Sequence, residues 1–149
     1  MGAVRGIVVH GTRSGRPNSP TEGPGTVSYC CTPGTTSYNC MIDRDGTVYE
    51  LVPPGTAAWH AQELNFNWLG VALAQGTVED PITGAQHATL AWLLRRLCDQ
   101  YEIPLQRLST LAGPAAGRGI VEHKDTAQGR RHGKSDVGPQ LDWARLGLA

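Results

Sequence analysis

Two histidines and one aspartate are the side chains of this sequence best suited to bind a metal ion. His10 follows an apolar run, His123 lies within Val121–Asp125, and Asp136 lies within Gly133–Pro139. Two imidazoles and a carboxylate leave a fourth tetrahedral position for water, which is the arrangement of a catalytic rather than a structural zinc site. Because the first histidine lies far from the other two residues in the chain, spacing alone leaves open that each histidine is a hydrogen-bonded core or loop residue.

The segment before His10 indicates a buried strand that carries this histidine at its C-terminal end. Residues 4–9 are rich in β-branched side chains, and residues 11–20 are rich in turn formers. Residues 13–36 show no clean periodicity, and a segment of this length without regular structure is unusual in a compact domain unless it serves a function. Within it we expect one short helix, at about residues 26–31.

The rest of the chain alternates between strand and helix patterns. An Asp-Gly pair predicts a tight turn between two extended runs, a continuous apolar run predicts a buried strand, and a capping box begins an amphipathic helix. In chain order, these predictions are a hairpin over 37–42 and 47–52, a strand over 69–74, a helix from Thr83 and Gln86 to Pro104, and a short helix over 141–148. Interleaved strands and helices favour an α/β fold in a single domain spanning residues 1–149.

Charge and composition exclude several classes of partner. The 149 residues include 13 basic and 13 acidic side chains, so the zero net charge provides no basic surface for nucleic acid. The apolar run near the start has only three residues, too short for a signal-peptide core or a membrane span. We therefore expect a protein made in the cytoplasm, without membrane insertion. The four cysteines lack paired metal-ligand spacing and are expected to be reduced.

Six segments, taken in order, give the sequence a resemblance to a known enzyme family. They span nearly the whole chain: Ile7–His10, Ser37–Val52, Ala58–Ala61, Leu69–Leu73, Glu122–Asp125 and Lys134–Pro139. Their order resembles that of the zinc-dependent N-acetylmuramoyl-L-alanine amidases of type 2, which include phage lysozyme-type amidases, bacterial muropeptide-recycling amidases and the peptidoglycan recognition proteins. The resemblance implies a central mixed β-sheet flanked by α-helices, with one zinc ion per chain at one end of the sheet.

The resemblance also implies roles for individual residues. His10 and His123 match the two zinc histidines, and Asp136 matches the third ligand, which is an aspartate or a cysteine in this family. Tyr38 matches a tyrosine beside the metal, and Lys134 matches the catalytic lysine. A zinc-activated water can attack an amide at neutral pH, while Lys134 and the Tyr38 hydroxyl would stabilise the oxyanion. Without the resemblance, the tyrosine is interpreted as a packed strand aromatic and the lysine as a solvated loop residue.

Four further residues are expected to contact the substrate, which the resemblance implies is peptidoglycan or a soluble muropeptide. His60 and Trp59 would line the cleft, although a structural hydrogen bond is an equal alternative for the histidine. Asn39 occupies a position where many relatives have histidine and the recognition proteins have asparagine. Arg131, in a basic loop, would bind a stem-peptide carboxylate bidentately unless it is simply solvated.

The resemblance implies hydrolysis of the amide between N-acetylmuramic acid and L-alanine. Recycling amidases tend to carry a glutamate on the strand over residues 70–74, whereas this chain has Ala72 and Ala74, which favours the tyrosine–lysine mode of the phage enzymes. Val137 stands where proline usually follows the third ligand, which loosens that loop. We therefore expect a monomeric phage endolysin, a bacteriolytic and antimicrobial enzyme with no separate wall-binding domain. The alternatives are a cytoplasmic recycling amidase and a non-catalytic peptidoglycan-binding module, which the complete ligand set disfavours.

Overall fold

A five-stranded mixed β-sheet forms the centre of the protein. The computed structural model describes residues 1–148, in which the strands are β1 (Gly6–Gly11), β2 (Cys40–Ile42), β3 (Val48–Glu50), β4 (Trp68–Leu73) and β5 (Gly119–Glu122). Their order across the sheet is β3-β2-β4-β1-β5. Strand β1 runs parallel to β4 and β5, β2 runs parallel to β4, and β2 and β3 form an antiparallel hairpin. The C-terminal ends of β1 and β5 therefore lie side by side at one edge of the sheet.

Three α-helices and three 3₁₀ turns complete the described part of the chain. They are α1 (Glu22–Cys30), α2 (Gly84–Tyr101) and α3 (Ala127–Arg131), with 3₁₀ turns over Gln62–Phe66, His123–Asp125 and Ala144–Leu146. Helix α2 begins at the capping box, where the Thr83 hydroxyl accepts from the Gln86 N–H and the Gln86 side chain accepts from the Thr83 N–H. It ends where Glu102 adopts a left-handed conformation, just before Pro104. None of these helices combines the length and the apolar character that a bilayer crossing needs.

Both faces of the sheet are buried. Because side chains alternate along a strand, successive residues pack on opposite faces. In β1, Ile7 and Val9 pack with α2 on one face, whereas Val8 packs with Trp68 on the other. All three of these β1 side chains are completely buried, which explains the continuous apolar run in the sequence. Because side chains two positions apart share a face, His10 lies on the Val8 face, opposite α2.

The structure confirms the α/β architecture, the hairpin, the strand near residues 69–74 and the capped helix, although both hairpin strands are shorter than predicted. The helix expected at 26–31 begins earlier, at Glu22, because Pro24 lies in the first turn, where its missing N–H breaks no helical hydrogen bond. The helix expected over 141–148 is only a 3₁₀ turn, which Gly147 ends with a φ of 74°. No sequence pattern predicts β5 or α3. The four cysteines form no disulfide within residues 1–148.

Candidate metal centre

His10, His123 and Asp136 converge at the edge of the sheet where β1 and β5 end. His10 lies near the end of β1, His123 directly follows β5, and Asp136 belongs to the loop after α3. One ligand atom from each residue lies within 4.8 Å of the other two. The Nδ1 atoms of His10 and His123 are 3.3 and 3.1 Å from Asp136 Oδ2. The three predicted metal ligands are therefore assembled, and all three side chains are buried.

The hydrogen bonds behind His10 determine which of its nitrogens is free to bind a metal. His60 Nε2 lies 3.0 Å from the Trp68 carbonyl oxygen, which can only accept, so this nitrogen carries the His60 proton. His60 Nδ1 is then an acceptor, and His10 Nε2, 3.0 Å away, donates to it. Neutral His10 therefore presents the lone pair of Nδ1 to Asp136. Gly70 makes room for this arrangement, because a Cβ atom there would lie 2.7 Å from His60 Cγ.

His123 is oriented in the same way by a different partner. Its Nε2 donates to the side-chain oxygen of Gln128 at 2.6 Å, so neutral His123 also turns an Nδ1 lone pair towards Asp136. Two lone pairs and a carboxylate then face one another with no hydrogen atom between them, an arrangement that a cation stabilises. A hydrogen-bond acceptor behind each imidazole is typical of metal-binding histidines. The donor set therefore fits a divalent ion that prefers nitrogen and carboxylate ligands.

Burial and charge hold these groups in the protonation states that metal binding needs. Burial, followed by the nearby His123, lowers the pKa of His10 to about 4, so its imidazole is neutral at neutral pH. Burial alone would raise the pKa of Asp136, but its close electrostatic interactions with His10 and His123 outweigh burial and hold that pKa well below its usual range. Burial also lowers the pKa of His60, which keeps it neutral in the hydrogen-bond chain. A metal ion would thus displace no proton from His10 or Asp136.

Arg13 holds the loop that carries Asp136 from one side. Its guanidinium donates to the Ser135 hydroxyl at 2.8 Å, to the Ser135 carbonyl at 3.2 Å and to the Val137 carbonyl at 2.6 Å. Its Nε donates to Gln75 Oε1 at 3.0 Å, which connects the loop to the segment after β4. These bonds restrain the loop although valine occupies the position where proline is usual. No sequence pattern marks Arg13, because its partners are distant in the chain.

Glu122 holds the same loop from the other side. Its buried carboxylate accepts from the Gly138 N–H at 2.9 Å and from the Trp143 indole N–H at 2.8 Å. Because Glu122 directly precedes His123, the end of β5 both supplies one ligand and anchors the loop of another. The sequence includes Glu122 in a matched segment, but its anchoring role depends on contacts that only the fold creates.

Tyr38 and Lys134 border a cavity beside the three ligands. The Tyr38 ring centroid lies 5.2 Å from that of His10, and Tyr38 borders the same cavity as Asp136. Burial, followed by the charge of Asp136, raises the pKa of Tyr38 well above its usual value, so the hydroxyl stays protonated and can donate. Lys134 is exposed, and its positive charge contributes to the lowered pKa of His10. Both side chains can therefore reach a molecule bound at the metal centre.

Asn39 has a structural role, and the prediction that it contacts substrate is corrected. Its side chain has no exposed surface. The amide group donates to the carbonyls of Val52 and Thr56, each at 3.2 Å, and Asn39 Oδ1 accepts from the Gly70 N–H at 2.9 Å. These bonds connect the segment after β3 to β4, so a substrate does not reach this side chain.

The other three expected substrate contacts differ in their relation to the cavity. His60 borders it, but both of its ring nitrogens are engaged in the hydrogen-bond chain, which gives it a positioning role. Trp59 is exposed and borders a second cavity. Arg131 is exposed and pairs with Glu63 at 2.8 Å, outside the residues that line either cavity. It would meet a substrate only after this ion pair opens.

Two adjoining cavities open beside the ligands. The first, of about 580 Å³, lies between α1 and the ligands, and the second, of about 720 Å³, lies beside the 3₁₀ turn Gln62–Phe66. The first also contains a buried carboxylate that no sequence pattern marks, that of Glu22, which accepts hydrogen bonds from Thr12 and Ser14. Four residues border both cavities: Thr36, His60, His123 and Lys134. A substrate can therefore extend from one cavity into the other across the metal centre.

The sequence matches a known family over most of its length. A profile of the family described as N-acetylmuramoyl-L-alanine amidase matches residues 1–139. A curated relative, the 1,6-anhydro-N-acetylmuramyl-L-alanine amidase AmpD of Enterobacter cloacae, is 33% identical over 118 residues. This match covers 74% of the chain and 54% of the relative, so the chain spans about half the length of the curated relative it matches.

Solved structures share the fold. The N-acetylmuramoyl-L-alanine amidase LysC from Clostridium intestinale superposes with a TM-score of 0.66 at 21% identity, over 99% of this chain and 87% of that chain. AmpDh3 from Pseudomonas aeruginosa, solved in complex with an anhydromuramic pentapeptide, gives a TM-score of 0.70 at 22% identity, over 99% of this chain and 61% of that one. These likenesses show a common architecture.

Proposed function

This chain belongs to the N-acetylmuramoyl-L-alanine amidase family, and from that premise we propose that it hydrolyses the amide bond between N-acetylmuramic acid and L-alanine in peptidoglycan. The proposal includes one zinc ion per chain, bound by His10, His123 and Asp136. The observation that carries it is the pair of imidazole lone pairs turned towards an ionised carboxylate at the edge of a cavity. The names of the AmpD relative and of the AmpDh3 complex support a muropeptide as the substrate class.

The side chains around the ligands are suited to amide hydrolysis. When bound, zinc supplies Lewis acidity and lowers the pKa of a coordinated water to roughly 7. The Tyr38 hydroxyl, which remains protonated, would donate a hydrogen bond to the oxygen of the attacked carbonyl. Lys134 would place a positive charge beside the same oxygen. Both groups therefore stabilise negative charge that develops in the transition state, while Glu122 and Arg13 keep the third ligand in place.

We favour a lytic role, that of an endolysin acting on the bacterial wall. Ala72 pairs with His10 in the sheet and packs in a cluster with Tyr38, so this strand brings no carboxylate to the tyrosine. The absence of a glutamate there supports the tyrosine–lysine mode that the phage-type enzymes use. A recycling amidase for soluble muropeptides is the second candidate, and the 33% identity with AmpD favours it.

The bond that is cleaved tests the amidase proposal directly. Digestion of purified peptidoglycan, followed by mass spectrometry, should release peptides with a free N-terminal alanine and leave the glycan strands uncut. A chelator should abolish the release, and added zinc should restore it. New reducing sugar ends without new alanine amino groups would contradict the proposal. Binding to peptidoglycan with no release in the presence of zinc would instead identify a non-catalytic module.

A comparison of two substrates distinguishes the two roles. An endolysin should cleave intact, insoluble peptidoglycan with a kcat/KM at least comparable to that for a soluble 1,6-anhydromuropeptide. A recycling amidase should cleave the soluble compound and leave the intact wall untouched. Turbidity of a wall suspension and chromatography of the soluble compound measure the two rates. Activity confined to the soluble compound would exclude the lytic role.

A further inference from the structure

Trp143 connects the last part of the described chain to the carboxylate that holds the loop of Asp136. Its side chain is buried, and its indole N–H donates to Glu122 Oε1 at 2.8 Å. The other oxygen, Glu122 Oε2, accepts from the Gly138 N–H at 2.9 Å. One carboxylate therefore bridges the indole and the backbone of the loop, two residues after Asp136. Trp143 lies beyond residues 1–139, the part of the chain that the family profile matches.

The indole N–H determines which way the Glu122 carboxylate turns. Within residues 1–148, the N–H groups of Trp143 and Gly138 are the two hydrogen-bond donors to this carboxylate. A cation lies just beyond hydrogen-bonding distance, because Arg107 Nη2 is 3.7 Å from Glu122 Oε1. Without the indole N–H, Oε1 would be a buried acceptor with no donor, which is unfavourable. The carboxylate would then gain by turning towards Arg107 and away from Gly138.

The Trp143 ring is itself fixed, so its N–H points in one direction. The ring packs in the core cluster that includes α2, and the guanidinium of Arg107 lies 4.6 Å from its centroid. The preceding residue, Asp142, donates its backbone N–H to His87 Nε2 on α2 at 3.0 Å. The orientation of Glu122 is therefore set from the side of the sheet that carries α2, opposite the face of His10.

The position of Gly138 matters for the metal because the loop is short and both of its sides are engaged. Val137, between Asp136 and Gly138, is completely buried in the cluster that includes α2. Asp136 points the other way and contacts His10 and His123. Metal–ligand distances vary by only about 0.2 Å around their ideal values, so a small displacement of this backbone weakens metal binding.

We propose that Trp143 is a positioning residue for the metal ligand Asp136 and that it acts through the Glu122 carboxylate. The inference rests on the proposed zinc site, because its functional consequence is the affinity with which that site holds zinc. It assigns a role at the metal centre to a side chain that packs on the far side of the sheet. The bridge from the indole to the Gly138 N–H is a property of the protein with or without metal.

Zinc affinity in a cycle of two substitutions tests whether Trp143 acts through Glu122. Trp143→Phe keeps an aromatic ring in the core and removes the N–H, so zinc affinity should fall about tenfold, as expected for a ligand's supporting partner. Glu122→Gln should have a similar effect, because an amide has one oxygen and cannot accept both N–H groups. The double variant should bind zinc no more weakly than either single variant, since both changes break one bridge. An additive loss, or normal affinity in Trp143→Phe, would overturn the inference.

A control variant separates this role from general stabilisation. Leu148→Ala removes buried packing from the same terminal segment and leaves the indole hydrogen bond in place. It should lower the free energy of unfolding and keep normal zinc affinity. Competition with a chromophoric chelator and denaturant unfolding measure the two quantities. If Leu148→Ala weakens zinc binding as much as Trp143→Phe does, the effect is general loosening and the inference is wrong.

Hydrogen exchange of chelator-treated protein tests the bridge without zinc. In NMR spectra, the Gly138 N–H of Trp143→Phe should exchange about tenfold faster than that of the unmodified protein or of Leu148→Ala, because its acceptor is no longer fixed. Equal exchange in all three proteins would overturn the inference. If exchange at Gly138 rises as expected but the unmodified protein binds no zinc, the positioning of the loop stands and the proposed zinc site fails.

Discussion

Asp136 is the one side chain of the proposed ligand set that carries negative charge, and it contacts both imidazoles. Its replacement leaves two neutral imidazoles, so Asp136→Ala should lower zinc affinity by at least roughly 100-fold, the upper end of what loss of a ligand's supporting partner costs. Competition with a chromophoric chelator measures the change. Asp99→Ala, an exposed aspartate on α2, is the matched control and should bind zinc normally. Full zinc affinity in Asp136→Ala would show that the ligand assignment is wrong.

Tyr38 and Lys134 are proposed to act on the transition state and not on the metal. Tyr38→Phe and Lys134→Ala should therefore each keep full zinc affinity and lower kcat by roughly 10²–10³, the usual cost of one oxyanion donor. The control is Tyr101→Phe, which removes a hydroxyl bonded to Gln100 at the surface of α2. Wild-type turnover in both site variants would leave the two residues with structural roles alone.

His60 is expected to orient His10 without touching the metal. Its ring completes a chain from the Trp68 carbonyl to His10 Nε2, with 3.0 Å at each step. His60→Ala should reduce zinc affinity by roughly 10–100-fold, because His10 loses the acceptor that fixes its tautomer and ring orientation. His132→Ala, at an exposed histidine, should have no effect. Equal affinity in the two variants would exclude the proposed chain.

Among the structural elements, the loop after α3 determines the position of Asp136. Arg13 restrains it through three hydrogen bonds to Ser135 and Val137. Arg13→Lys keeps the positive charge but loses the planar set of donors, so zinc affinity should fall by roughly 10-fold or more. Arg96→Lys on α2 is the matched control. A normal affinity in Arg13→Lys would mean that the other contacts of the loop, including those of Glu122, are sufficient to hold it.

The elements that the sequence predicts are those specified by residues close together in the chain. The capping box of α2 and the Asp-Gly turn of the hairpin need no knowledge of the fold. Strand β5 has only four residues and begins at Gly119, whose φ of 147° suits glycine, so neither its length nor its composition marks a strand. Its position is decided by pairing with β1, a contact between distant parts of the chain.

The metal site shows the same difference between short motifs and contacts made by distant parts of the chain. The family pattern, together with the residue types, is sufficient to predict the ligands His10, His123 and Asp136. The side chains that support them, His60, Arg13 and Glu122, act through partners that only the folded chain brings near. Asn39 shows the reverse error, because its position in the family pattern says nothing about exposure, and its buried amide is bonded to the backbone of Val52, Thr56 and Gly70.

At the scale of the whole molecule, the metal-free protein should lose stability as the pH falls. Burial lowers the pKa of His10 from 6.5 to about 4. Between these values the unfolded chain takes up a proton that the folded protein excludes, so the free energy of unfolding decreases as the pH falls from 6.5 to 4. For His10 alone the loss is on the order of 3 kcal/mol.

Denaturant unfolding of chelator-treated protein between pH 7 and pH 4.5 measures this loss. The profile should be flat near neutral pH and fall below about 6.5, the ordinary pKa of histidine. His10→Asn removes the titrating group and should reduce the slope by up to one proton. An unchanged stability across the whole range would contradict the burial of a neutral imidazole at this position.

The order of the proposed ligands along the chain means that the metal site can assemble only after residue 136 has been synthesised. His10 lies on β1, whereas β5 and the other two ligands all lie beyond residue 118. The pairing of Gly6 with Gly119 spans most of the chain, and parallel contacts of such long range form slowly, because the chain between them must be ordered first. A ribosome must therefore have delivered nearly the whole described chain before the three ligands can meet. A nascent chain that ends before residue 136 therefore lacks the complete set of proposed metal ligands.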